Sequence, residues 1–174
     1  MHGAWWNPFY LEEVINSLLE TATLIQQDDQ WLLAKPLSEA NIPSTVQGVI
    51  SARLDRLETE TKKILQEASV IGRAFLYEIL RRITELKDQI DKSLMGLERI
   101  DLIRTRTLQP DLEYIFKHAL TQEVVYNGLL KKERQNIHEK IGQVMEELFR
   151  DRLDEFYEAL AYHTISRDNL YSRP

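Results

Sequence analysis

The sequence predicts a mainly α fold, and three observations carry that expectation. Apolar residues recur at helical spacing over most of the chain. Only 6 glycines and 5 prolines interrupt 174 residues, which leaves little room for long irregular linkers. Strand-like alternation is confined to two short hairpin candidates. Hydrophobic residues make up 43% of the chain, ample for a packed core in one large domain or two small ones.

Taken in order, Asn7-Pro8 reads as a helix entry, with Asn7 capping and Pro8 preset for the first helical position. Glu12 and Glu13 suit the positive end of the helix dipole, a simpler role for them than a catalytic carboxylate pair, and Leu11, Val14, Ile15, Leu18 and Leu19 form the expected buried stripe. Residues 23–27 and 30–34 flank Asp28-Asp29 and are expected to pair as a small hairpin, with Leu24 and Trp31 against the preceding helix. Pro36 and Pro43 bracket a connector. Ser44 and Gln47 then make a capping box for a second helix with Val46, Val49, Ile50, Leu54 and Leu57 inward and Arg53, Asp55 and Arg56 off the stripe.

A third helix, 59–71, buries Ile64, Ala68 and Ile71 and ends at Gly72 in a left-handed cap. A fourth uses Phe75, Leu76, Ile79, Leu80 and Ile83, and a fifth, 85–100, uses Leu86, Ile90, Leu94 and Leu97. Residues 102–107 and 112–117 then form a hairpin around Gln109-Pro110-Asp111. Three helices followed by a β-hairpin wing is the order of a winged-helix domain. Within residues 114–126 the period changes: Leu112, Tyr114, Phe116 and His118 alternate as on a strand, and Leu120, Val124, Val125 and Leu129 follow helical spacing. His118 stands at that corner, as a packing residue or a switch. After a charged break at 131–134 the helical signal resumes with Ile137, Ile141, Val144, Met145, Leu148 and Phe149. A last helix, 151–164, with Leu153, Phe156, Tyr157, Leu160 and Ala161, reads as the first half of a helix-pair repeat.

Composition narrows the function. Twenty-two basic against 28 acidic residues give a net charge of −6, which disfavours nucleic acid as the main partner. The third helix of the winged-helix region, 85–99, carries Glu85, Asp88, Asp91 and Glu98 against Lys87, Lys92 and Arg99, while Arg73, Arg81, Arg82, Arg104 and Arg106 keep a small basic patch. A DNA-binding winged-helix regulator is therefore the alternative reading. The absence of cysteine excludes disulfides, thiolate zinc sites and cysteine nucleophiles. No apolar run reaches membrane-spanning length and no signal-peptide layout opens the chain, so a soluble cytoplasmic protein with no membrane partner is expected. His2, His118, His138 and His163 are far apart with no ligand spacing, and no metal site is expected. No phosphate-binding loop of the Gly-x-x-x-x-Gly-Lys-[Ser/Thr] type occurs, so this chain alone is expected to have no catalytic residues and no cofactor.

Four blocks in this order, Asn7-Pro8-Phe9-Tyr10-Leu11-Glu12-Glu13, residues 42–50, Ala52-Arg53-Leu54-Asp55-Arg56-Leu57 and residues 114–126, resemble the downstream half of a bacterial signal-transduction AAA-type ATPase of the STAND class. That class includes predicted ATPases fused to class III adenylate or guanylate cyclase domains and relatives of LuxR/MalT-type regulators. The resemblance implies a lid-like helical subdomain with a small hairpin over residues 1–57. It implies a winged-helix domain with C-terminal helices over 58–149 and the start of a tetratricopeptide-like repeat over 150–174. It further implies ATP or ADP with Mg in the full-length protein, clamped between ATPase core, lid and winged helix, with Pro8 against the base and His118 near the β-phosphate. Pro8 is equally readable as a plain helix-starting proline. Ala119 stands where many relatives carry aspartate after the histidine, and Trp6 where the lid motif has glycine. The expected function is that of a non-catalytic regulatory fragment of a nucleotide-switched ATPase, its winged helix an intramolecular clamp. The expected partners are its own N-terminal ATPase core and C-terminal repeats, and a protein partner or an oligomer; separately, the lid surface bared without that core is expected to drive nonphysiological dimers through Trp5, Trp6 and Phe9.

Overall fold

The computed structural model describes residues 8–37, 40 and 42–168; the Asn7 cap and the aromatic contacts of Trp5 and Trp6 lie outside them. The fold is mainly helical, with two small antiparallel sheets among the described residues. The chain divides into two compact units that meet in sequence at Leu57 and Glu58.

In the first unit, α1 (Pro8–Glu20) packs against α2 (Val46–Leu54), and the hairpin of β1 (Leu24–Gln27) and β2 (Gln30–Leu33) lies between them in sequence. The hairpin turns where expected. Asp28 and Asp29 have φ of 48° and 63°, the pair of left-handed residues that matches the twist of a two-residue turn. The inward face of α1 differs from the expected one. Tyr10 and Glu13 are buried, with Val14, Ser17 and Leu18 half-buried beside them, whereas Leu11, Ile15 and Leu19 form an exposed stripe. The two sets are rotated by one residue, about 100° on a helix. What selects the inner set is polar: the Tyr10 hydroxyl donates to the Pro43 carbonyl at 2.9 Å, and Glu13 pairs with Arg53. Trp31 likewise does not pack on α1. All four residues of β2 are exposed, because α1 contacts the hairpin through β1.

The second helix buries Val46, Val49, Ile50 and Leu54 as expected, but its cap is Thr45 and not Ser44. The Thr45 hydroxyl accepts from the Gly48 amide at 3.1 Å. Arg53, expected off the stripe, is 1% exposed.

The second unit opens with α3 (Thr59–Ile71), which buries Ile64, Leu65, Ala68 and Val70 and leaves Ile71 half-buried. Gly72 has φ 151° and ψ −175°, an extended positive-φ conformation in place of the expected left-handed cap, and one that favours glycine equally. Residues 74–76, expected inside a helix, form a strand, β3 (Ala74–Leu76), and only then does α4 (Tyr77–Ile83) begin. The cause is β5 (Glu113–Phe116), which pairs Phe75 with Tyr114 and draws the segment into the sheet. A 3-10 turn (Lys87–Gln89) and α5 (Ile90–Arg99) replace the single fifth helix. Then β4 (Ile103–Thr107) returns through a turn with a cis Gln109–Pro110 bond to β5, giving sheet order β3-β5-β4.

Helix, strand, helix, helix and hairpin enclose a core of Phe75, Ile79, Leu80, Ile90, Leu94, Leu97, Leu102 and Phe116, all at most 3% exposed. Each such side chain contributes roughly 1.5–3 kcal/mol by leaving water. The chain continues as α6 (Ala119–Asn127), α7 (Lys131–Leu148) and α8 (Leu153–Asp168). Residues 131–134 are the first turn of α7 and no break; the chain turns instead at 128–130, where the Glu133 carboxylate accepts from the Leu130 amide at 3.0 Å. The side chains of Leu153, Phe156 and Tyr157 lie outside those described. None of the described helices is long and apolar enough to cross a membrane.

Candidate functional site

Pro8 belongs to the first unit and His118 to the second. Pro8 is the first residue of α1 and is exposed, a position where its missing N–H costs nothing. Behind it stands the buried ion cluster. Arg53 donates to Glu13 and to Glu20, with Nη2 at 2.6 Å and Nε at 2.9 Å from Glu20 Oε1. Burial pulls the guanidinium pKa down, but the hydrogen bonds and charges of Glu20 and Glu13 outweigh it and hold it above its ordinary value. Glu13 and Arg53 both fall inside sequence blocks that carry the resemblance, yet their pairing was not legible from spacing. A cleft of about 240 Å³ opens beside the cluster, with Ser17, Thr21, Lys35 and Arg56 on its polar side and Ile42 and Pro43 on its apolar side.

The corner at His118 is built by β5 and α6. Phe116 is fully buried, its ring centroid 5.8 Å from that of Phe75, which also stacks on Tyr114 at 5.8 Å. That face of the strand therefore looks into the core. After the last ladder residue, the Lys117 amide still donates to the Leu102 carbonyl at 3.1 Å, and its ammonium pairs with Asp101. His118 follows with extended backbone, φ −123° and ψ 135°, as the residue that caps α6: its carbonyl accepts from the Thr121 amide at 3.1 Å, while its side chain makes no cap. The side chain is half-buried. The helix it starts is anchored by Gln122, whose amide nitrogen donates to the Ser69 carbonyl of α3 at 2.7 Å.

Two further histidines meet, although 25 residues separate them. His138 on α7 and His163 on α8 are buried with their Nδ1 atoms 2.8 Å apart. The Tyr126 hydroxyl of α6 lies 3.1 Å from His138 Nε2, and the Arg134 guanidinium sits 4.9 Å from the Tyr126 ring centroid. Their separation in sequence hides them from any local pattern; helical spacing around His138 and Ile141 was the signal that the first of them faces inward. Among the described residues, no group of three or more His, Cys, Asp or Glu is placed to hold a metal ion.

No protein-family model matches the chain, and no solved structure matches it. It is similar to an uncharacterized protein of Rhizobium meliloti (strain 1021), 25% identical over 139 residues, covering 77% of this chain. The match spans about 13% of that relative's length.

Proposed function

We propose that this chain is a non-catalytic regulatory part of a nucleotide-switched signal-transduction ATPase, with its second unit a winged helix that clamps and recognises protein. The observation that carries the choice of protein over DNA is how the charges of α5 and the hairpin are used. Glu98 accepts from both the Thr105 amide and its hydroxyl at 2.7 Å, Arg104 donates to Asp101 at 3.1 Å, and Arg106 reaches Glu113 at 3.4 Å. A DNA-reading surface needs donors turned to phosphate and few carboxylates beside them. Here each hairpin arginine has an acidic neighbour, and the helix supplies more.

In the full-length protein, His118 is the residue of the second unit that contacts ADP or ATP with Mg, and Pro8 is a base contact on the first. The four sequence blocks support this assignment, as does the place of His118 at the start of a helix, where backbone amides favour an anion. The parent protein with His118→Ala is expected to release a fluorescent ADP analogue faster than wild type; an unchanged release rate reduces His118 to a packing residue. Salt-sensitive, sequence-selective DNA binding by the 174-residue chain in a mobility-shift assay would overturn the protein-facing assignment.

A further inference from the structure

The contact between His138 on α7 and His163 on α8 reaches α6 through Tyr126, and its chemistry constrains where the protons are. Two neutral imidazoles share a hydrogen bond only if one ring donates and the other accepts. The Arg134 guanidinium, a donor only, lies over the Tyr126 ring, 4.9 Å from its centroid. The Tyr126 hydroxyl, 3.1 Å from His138 Nε2, donates to that nitrogen when it is bare and accepts from it when it carries a hydrogen. Either ring can therefore be the donor across the 2.8 Å contact between the two Nδ1 atoms.

We propose that the buried contact of His138 with His163, backed by Tyr126 and Arg134, is a proton-operated latch, which holds α8 on α7 while both rings are neutral and releases it as the pair takes up protons. Two neutral rings, or one neutral and one protonated, can share the 2.8 Å contact, whereas a proton on each sets two N–H groups against each other there. A proton on His138 also places a buried cation beside Arg134. Among the described side chains, the groups that act on the rings are Tyr126 from α6, Arg134 from α7, and Tyr162 from α8, edge-on to both histidines at 5.9 and 5.3 Å. None of these is a carboxylate that would stabilise imidazolium. The charged groups that other elements bring to α7 gather elsewhere. Lys63 of α3 and Lys140 of α7 both pair with Glu85 after α4, with Glu67 of α3 in their field, and Arg150 and Asp151 occupy the 3-10 turn beyond the end of α7.

The direction of the response follows. Burial, then Arg134 for His138 and His138 for His163, lowers both rings to about 4 from an ordinary 6.5. Between those values the docked state binds fewer protons than the open one. Docking is therefore at full strength above pH 6.5 and is lost as pH falls toward 4, with each ring contributing up to about tenfold per pH unit to the opening equilibrium. The latch stands on the packing of α7 and α8 and is independent of any nucleotide function.

Nitrogen-15 histidine spectra and amide hydrogen exchange of the whole chain test it. Both rings are expected to remain neutral at about pH 6. The α8 amides are expected to lose protection by at least about 100-fold between about pH 6.5 and 4.5, after correction for intrinsic exchange, while α3 amides do not. His163→Asn retains an acceptor near Nδ1 and does not titrate, so it is expected to halve the logarithmic slope; His138→Gln with His163→Asn is expected to abolish it. Rings that titrate near 6.5 in the wild-type chain, α8 protection that does not change over this window, or an equal slope in the double variant would overturn the latch.

Discussion

Arg53 and Glu13 form an ion pair between α2 and α1 in which the side chains keep 0% and 1% of their surface in water. The pair is extended by Glu20 and, at 3.7 Å from Glu20, by Arg56, whose Nη1 also donates to Ser17 at 3.0 Å. Desolvating two charges costs several kcal/mol each before they attract, so such a cluster fixes which faces of the two helices meet more than it adds net stability. Arg53→Ala strands Glu13 in the interior and is expected to cost about 3–5 kcal/mol. Glu13→Leu combined with Arg53→Met is expected to regain most of that loss. Tryptophan fluorescence in urea reads the effect selectively, because all three tryptophans, Trp5, Trp6 and Trp31, precede Leu57. A double variant no more stable than Arg53→Ala would show that the pair itself, and not the stranded charge, holds the unit.

Two helical glycines respond oppositely to a methyl group. A Cβ on Gly48 meets Pro43 Cβ at 2.7 Å, so Gly48→Ala must push apart α2 and the connector, at about 1–3 kcal/mol, despite the better helix propensity of alanine. Gly142 in α7 has nothing within 4 Å of a built Cβ, and Gly142→Ala is expected to stabilise by about 0.5–1 kcal/mol. Thermal melts of the two variants should move in opposite directions, and a stabilising Gly48→Ala would contradict the close approach.

The elements that the sequence exposes most clearly are those with local punctuation. Asp28-Asp29 marks the first hairpin, Gln109-Pro110-Asp111 the second, and α3 runs from Thr59 to the glycine at 72 as its spacing predicts. What it conceals depends on partners far along the chain. The stripe Leu11, Ile15 and Leu19 is as periodic as the true inner face, and contacts far along the chain, of Tyr10 with Pro43 and of Glu13 with Arg53, select the inner one. The strand at Ala74–Leu76 is three residues long inside an apolar run, and its identity comes from pairing with β5. Of the candidate site, the change of period at His118 was legible as the start of α6. The pairing of His138 with His163 was not, because nothing within one helix specifies it.

Glu98 ties α5 to the hairpin, taking both the Thr105 amide and hydroxyl at 2.7 Å on one carboxylate oxygen. Charge-assisted bonds of this kind are worth about 1.5–3 kcal/mol each when buried and less at an exposed site such as this. Glu98→Ala is expected to raise hydrogen exchange at the Thr105 amide by about tenfold or more, with little change at Phe116, whose amide is bonded to the Arg73 carbonyl at 2.9 Å. Equal loss of protection at both residues would mean that the sheet opens as one piece and that Glu98 is no separate tie.

Glu67 on α3 is 6% exposed and is hydrogen-bonded by the Thr84 side chain, while its Oε2 has no hydrogen-bond partner among the described residues. Burial pushes its pKa above the ordinary 4.5, and the Thr84 bond and the charges of Lys63 and Lys140 only partly reverse this. A carboxyl whose folded pKa is raised binds more protons folded than unfolded, so it withdraws stability as pH rises from about 4.5 through that raised value. Glu67→Gln keeps the shape and an acceptor for Thr84 but carries no charge. The variant is expected to be more stable than wild type near pH 7, with the difference vanishing below about pH 4. Urea unfolding followed by circular dichroism across that range measures it; a variant less stable at neutral pH, or a difference that does not depend on pH, would mean that the Lys63 and Lys140 charges hold Glu67 ionised at no cost.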